Sequence, residues 1–152
     1  MNQRLMRLTQ LLAIKEKATQ QAANDWARAR QQFLTSKQRH DQLLNYRQDY
    51  VTQLNNATNL PATTVGYLRR RIEFISQLDT ALSQLNAQLS HLIKQRTHFE
   101  KLYMQKKAEQ DAVVKLIEKV KLTLQLKQER AEQKESDEYA QKQWYSKNKT
   151  DN

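Results

Sequence analysis

From Leu68 to Leu124 the chain places a seam residue at alternating spacings of three and four, and no proline or glycine interrupts the run. Ile75, Leu78, Leu82, Leu85, Leu89, Leu92, Phe99, Tyr103, Val113, Ile117 and Val120 hold most positions, with Arg71, Arg96, Lys106 and Gln110 at the rest. A seven-residue repeat kept this long demands a left-handed coiled coil, because a straight helix would rotate its apolar stripe away from any partner. One helix cannot bury that stripe alone, so a second must lie against it.

The second helix is found earlier in the chain. Leu5, Leu8, Leu12, Lys15, Thr19, Ala22, Trp26, Ala29, Phe33, Ser36, His40, Leu43, Arg47, Tyr50 and Leu54 follow the same spacing, with bulky and small side chains alternating. Between the two runs stand the only proline, Pro61, and the only glycine, Gly66. Pro61 has no backbone donor and drives Leu60 out of the helical region, and Asn55, Asn56, Asn59, Thr63 and Thr64 favour caps and turns. The expected fold is therefore all-α, a long two-helix antiparallel coiled-coil hairpin over residues 1–145. Helix 1 covers about 3–54, the hinge 55–63 and helix 2 about 64–141, with a disordered polar tail at 146–152. Folding at the hinge sets Leu54 opposite Leu68, Leu43 opposite Leu78, Phe33 opposite Leu89 and Leu5 opposite Ile117. The same register puts Lys15 against Lys106 and Leu12 against Gln110, so the end far from the hinge is expected to be the looser one. It also lets Trp26 meet Arg96 in a cation–π contact.

Composition agrees with this plan: a mean hydropathy of -0.95 and one glycine suit a long helix better than a globular core. Without cysteine there are no disulfides, thiolate metal sites or cysteine nucleophiles. No apolar run reaches the roughly 18 residues of a membrane span, and Arg4 and Arg7 interrupt the short N-terminal leucine cluster, which points to the cytoplasm. The net charge of +10 resides in the arms: residues 1–54 hold nine basic and four acidic side chains, residues 64–124 eleven and six, residues 125–152 six of each. That excess can attract nucleic acid, anionic lipid or an acidic protein, and it equally suits a solvated helix face.

Catalytic chemistry has no footing in the sequence. One glycine precludes a phosphate loop, and His40, His91 and His98 offer no i, i+4 ligand pair. Adjacent carboxylates such as Asp137 and Glu138 point to different helix faces. The expectation is a protein without catalytic residues, cofactor or metal. What remains is surface. Tyr46 and Phe74 lie just outside the seams, close together on the hinge-proximal half, and with Leu43, Tyr50, Leu78, Ala81 and Leu85 they widen the apolar stripe. They are candidate anchors for a partner, the plainer alternative being that they thicken the core.

Three stretches in this frame carry a family resemblance: Leu43-Leu44-Asn45-Tyr46-Arg47-Gln48-Asp49-Tyr50, Phe74-Ile75-Ser76-Gln77-Leu78-Asp79-Thr80-Ala81 and Asp137-Glu138-Tyr139-Ala140-Gln141. In order and spacing around one hinge the chain resembles the flagellar FliJ family of type III export stalk proteins. The resemblance implies an antiparallel coiled coil similar to the stalk of the rotary ATP synthase, not itself an ATPase. Its terminal end would enter the pore of the hexameric export ATPase FliI, and its hinge-proximal surface would bind the export gate protein FlhA. It also implies escort of export chaperones and a peripheral place at the cytoplasmic face of the inner membrane. On matching positions Leu43, Tyr46, Tyr50, Phe74, Leu78 and Ala81 inherit the gate-binding role. Arg39 and Leu85 stand where the family has a glutamine and a polar residue, and stay outside that set.

At the terminal end Arg4, Arg7, Lys15, Lys17, Lys115 and Lys119, with Lys106, Lys107 and Lys121 nearby, form a positive shaft suited to a pore lined by acidic loops. Two other functions fit the sequence less well: a basic coiled coil binding nucleic acid or anionic membrane, and a general secretion chaperone. Nucleic-acid binding calls for a continuous basic stripe, whereas here the basic residues are dispersed and Arg71, Arg96 and Lys106 lie in the seam. The rod is expected to be a monomer in isolation.

Overall fold

The computed structural model describes residues 2–150, and of residue 150 only the backbone. Two helices, α1 (Gln3–Ala57) and α2 (Val65–Thr150), pack against each other as an all-α helical hairpin, and no strand occurs among the described residues. By contact density the chain divides into one unit of Met1–Thr19 with Lys106–Asn152 and another of Gln20–Gln105.

Every residue of the two expected seams is buried or half-buried. The helices contribute differently. On α1 the buried positions are small, Thr19, Ala22, Ala29 and Ser36, with Ala57 where the helix ends. On α2 they are large: Leu78, Leu82, Leu89 and Leu92 in the second unit, Val113, Ile117 and Val120 in the first. The most deeply buried positions are thus small on α1 and large on α2, a difference in size that suits close packing between two helices.

In the second unit the connection at residues 58–64 satisfies the helix ends with local bonds. The Thr58 amide donates to the Leu54 carbonyl at 3.1 Å, and the Leu60 amide to the Ala57 carbonyl at 3.1 Å. The Thr58 and Thr63 hydroxyls donate to the carbonyls of Asn55 and Ala57 at 2.7 and 2.8 Å. Thr64 then caps α2, its hydroxyl accepting from the Tyr67 amide at 3.2 Å. Gly66 takes no part in the turn. It sits inside α2 without a positive φ, and a Cβ added there would meet open space.

Side-chain partners differ from the expected register in two places. Trp26 stacks on Tyr103 at 5.4 Å and is covered by Arg30 of its own helix at 4.3 Å, while Arg96 lies over Phe33 at 4.4 Å. The expected contact of Trp26 with Arg96 is therefore not made. Side chains lean toward the N-terminus of their helix, so in an antiparallel pair the tips that meet come from residues further along each helix than the Cα positions that face each other.

The second difference is in the first unit. The expected like-charge pair is relieved by Glu109, whose carboxylate lies 3.3 Å from Lys15 and 3.8 Å from Lys106. Beside it the Thr19 hydroxyl reaches the carbonyls of Lys15 at 2.9 Å and Lys106 at 3.2 Å. Val113, Ile117 and Val120 are buried at 5 to 8% exposure in this unit, where the seam was expected to be the looser one.

The helix also outlasts the expected end near residue 141. Where a disordered tail was expected from residue 146, α2 continues to Thr150, and residues 151–152 lie outside the described residues. No glycine or proline follows Gly66 to stop it. Lys147 and Lys149 in the last turn suit the negative end of the helix dipole.

Candidate functional site

The hinge-proximal surface belongs to the second unit. Tyr46 and Tyr50 stand one helical turn apart on α1, and Phe74 comes from α2, so the helix period and the antiparallel fold together bring three rings into one cluster. Their centroids are 5.0 Å apart for Tyr46 and Tyr50, 4.7 Å for Tyr50 and Phe74, and 6.2 Å for Tyr46 and Phe74, the last pair edge to face. Arg71 roofs the cluster. Its guanidinium lies 4.8 Å from the Tyr50 ring and 4.9 Å from that of Tyr67, and it donates to Gln53 Oε1 at 2.5 Å.

The six residues singled out on this face are not equivalent. Tyr46 is 46% exposed, Leu43, Tyr50, Phe74 and Ala81 are half-buried, and Leu78 is a core residue at 7%. A partner can reach Tyr46 directly. Leu78 can only support the surface from beneath. A hydrogen bond with Tyr50 is the main cause holding the Tyr46 phenol above its ordinary pKa of 10.0, so the Tyr46 hydroxyl stays neutral across the physiological range.

Beside Tyr46 opens a depression of about 490 Å³ lined by Arg39, Gln42, Leu43, Tyr46 and Leu85. Arg39 and Leu85, set apart in the sequence reading, thus stand in one place with Tyr46. A signal was available for the first, since Arg39 precedes Tyr46 by one heptad and shares its face. Nearby, Arg47 ties the helices together: its Nε and Nη2 both donate to the Asp79 carboxylate, the Nη2 bond being 3.3 Å, which raises the guanidinium pKa. Sequence reasoning missed this pair, for Arg47 read only as a seam residue.

The basic face belongs to the first unit. Arg4, Arg7, Lys17, Lys115 and Lys119 are exposed, whereas Lys15 is half-buried and engaged with Glu109. Arg4 and Lys119 come together with Asn2, Leu116, Val120, Thr123 and Leu124 around a groove of about 320 Å³. Asn2 positions Arg4 by capping α1, its side-chain oxygen accepting from the Arg4 amide at 2.8 Å. Arg7, Lys17 and Lys115 do not line that groove.

Two long helices packed along heptad seams define a coiled-coil protein. The family described as Flagellar FliJ protein matches residues 3–149, and the chain belongs to that family. Comparison with curated proteins and with solved structures gave no match. Membership makes the chain a component of the flagellar protein export apparatus. No described helix is long and apolar enough to cross a membrane.

Proposed function

We propose that this protein is the non-enzymatic central stalk and chaperone escort of flagellar export, acting as a monomer that couples the FliI ATPase hexamer to the FlhA export gate. The gate binds the Tyr46, Tyr50 and Phe74 surface, and the ATPase pore takes the basic face around Arg4 and Lys119. Such a protein works peripherally, at the cytoplasmic face of the inner membrane.

The observation that carries this reading is Tyr46 itself. An aromatic ring 46% exposed, braced by two others and opening onto an apolar depression, has the form of a binding anchor, large and rigid with little left to order on binding. Tyr46→Ala should lower affinity for the gate's cytoplasmic domain by about tenfold or more. The thermal unfolding midpoint of the variant should stay close to that of the parent. Phe74→Ala is the less clean probe, because its half-buried ring packs at 4.7 Å on Tyr50. Unchanged gate affinity in a folded Tyr46→Ala protein would remove the assignment.

For the ATPase end, exposed charges give orientation through many weak screened contacts without locking the rod in place. Reversing Arg4, Arg7 and Lys119 to Glu should weaken stimulation of the ATPase and leave gate binding intact. Full stimulation by the reversed protein at low and moderate salt would leave shape, not charge, as the basis of that contact.

A further inference from the structure

Between Asp49 and Glu73 the chain carries no acidic residue, and its charges there are Arg69, Arg70 and Arg71. This is the hinge end of the second unit. Leu60 is 60% exposed and Val65 73%, and Ile72 at 56% follows Val65 by one heptad on the same face of α2, with Arg69 between them. Arg70 joins Leu60, Tyr67, Ala62 and the hydroxyl-bearing Thr63 and Thr64 around a depression at the turn. The first turn of α2 contains no acidic residue, so the positive end of its dipole adds to the arginines.

We propose that this hinge tip is a membrane-contacting surface, with Leu60, Val65 and Ile72 entering the interface of an anionic bilayer and Arg69 and Arg70 pairing with its headgroups. The turn is fixed by its own hydrogen bonds, from Thr58, Leu60, Thr63 and Tyr67, so the apolar side chains are presented without unfolding. Amphipathic tips bind membranes through buried apolar area together with attraction to anionic lipid, and both are present here. Two helix ends offer a small area for a protein, whose stable interfaces bury roughly 800 Å² on each side. A nucleic acid would engage the arginines and leave Leu60 and Val65 unused. This assignment stands apart from the gate and ATPase contacts, since the lipid surface is met by the chain alone.

The experiment uses the full chain and vesicles of phosphatidylcholine with or without phosphatidylglycerol, with no other protein present. The parent should sediment with the anionic vesicles at about physiological salt and much less with neutral ones. Arg69→Glu with Arg70→Glu should reduce the partition coefficient by about tenfold or more. Lys94→Glu with Lys101→Glu, an equal charge change at exposed positions away from the turn, should reduce it by less than about threefold. Leu60→Ser with Val65→Ser should weaken binding at unchanged charge.

Because the chain has no cysteine, Leu60→Cys carrying an environment-sensitive dye reports insertion directly, with Asn86→Cys as the exposed control. The dye at residue 60 should shift to the blue on anionic vesicles and the dye at residue 86 should not. Equal loss from the two charge-reversed pairs, or a dye at residue 60 that stays in water while the chain is bound, would overturn the proposal. So would self-association of the chain that the Leu60→Ser and Val65→Ser changes abolish, since the tip would then be a contact between copies.

Discussion

Glu109 decides whether the terminal seam tolerates its lysines. With one carboxylate 3.3 Å from Lys15 and 3.8 Å from Lys106, all about one third exposed, the contact is partly screened and modest in strength. Glu109→Gln should lower stability by about 1 kcal/mol, read as a fall in the thermal midpoint, and added salt should shrink the difference. Tyr46 offers a test by titration. Its phenol lies above 10.0, so the neutral form is favoured in the fold, and whatever stability this contributes is present below pH 10 and lost as pH rises through the folded value. Tyr50→Phe should move the Tyr46 titration, followed by ultraviolet absorbance, back toward 10.0. Gly66 has a helical backbone and open space around its Cα, so Gly66→Ala should stabilise the chain by about 0.5 to 1 kcal/mol, measured by urea unfolding.

At the scale of elements, α2 behaves as two helices in one. Up to Leu124 its seam is covered, but residues 125–149 are all exposed. That stretch is held by the backbone ladder and by i, i+4 bonds such as Gln125 to Glu129, Gln128 to Glu132 and Gln133 to Asp137. Such pairs add only about 0.2 to 0.5 kcal/mol each, and a helix without tertiary packing is marginal in water. Amide exchange over residues 125–149 should therefore be far faster than over residues 78–92, and trypsin should first cut among Lys127, Arg130 and Lys134. Protection equal to that of the packed stretch would mean the overhang is covered by something other than its own helix.

At the scale of the molecule the asymmetry of the seam governs stability. The most deeply buried side chains are small on α1 and large on α2, so changes of size in the two helices have different consequences. Ala29→Leu should destabilise by about 1 to 3 kcal/mol through overpacking, and Leu89→Ala by about 2 to 5 kcal/mol through the cavity it leaves. Both are measurable by urea unfolding. Neither should alter helix content in the folded baseline, because the backbone ladders do not depend on those side chains.

Heptad spacing and helix breakers are local properties of the chain, so the class of fold, the neighbourhood of the turn and the seam positions named above could be read from it, whereas α1 runs on through Asn55 and Asn56 to the buried Ala57 and the connection falls at 58–64 in place of the expected 55–63. Arg71, Arg96 and Lys106 were legible as seam residues for the same reason. What they touch was not. Arg96 covers Phe33 instead of Trp26, and Lys106 shares Glu109 with Lys15, because long side chains lean along their helices and choose among several neighbours within a few ångströms. The candidate gate surface divides the same way. Its aromatic residues could be read from the sequence, but only the tertiary structure buried Leu78, left Tyr46 outside and set Arg39 and Leu85 beside it. Periodicity fixes which face of a helix turns inward; how far each side chain is covered depends on the size and tilt of the side chains that meet it from the other helix.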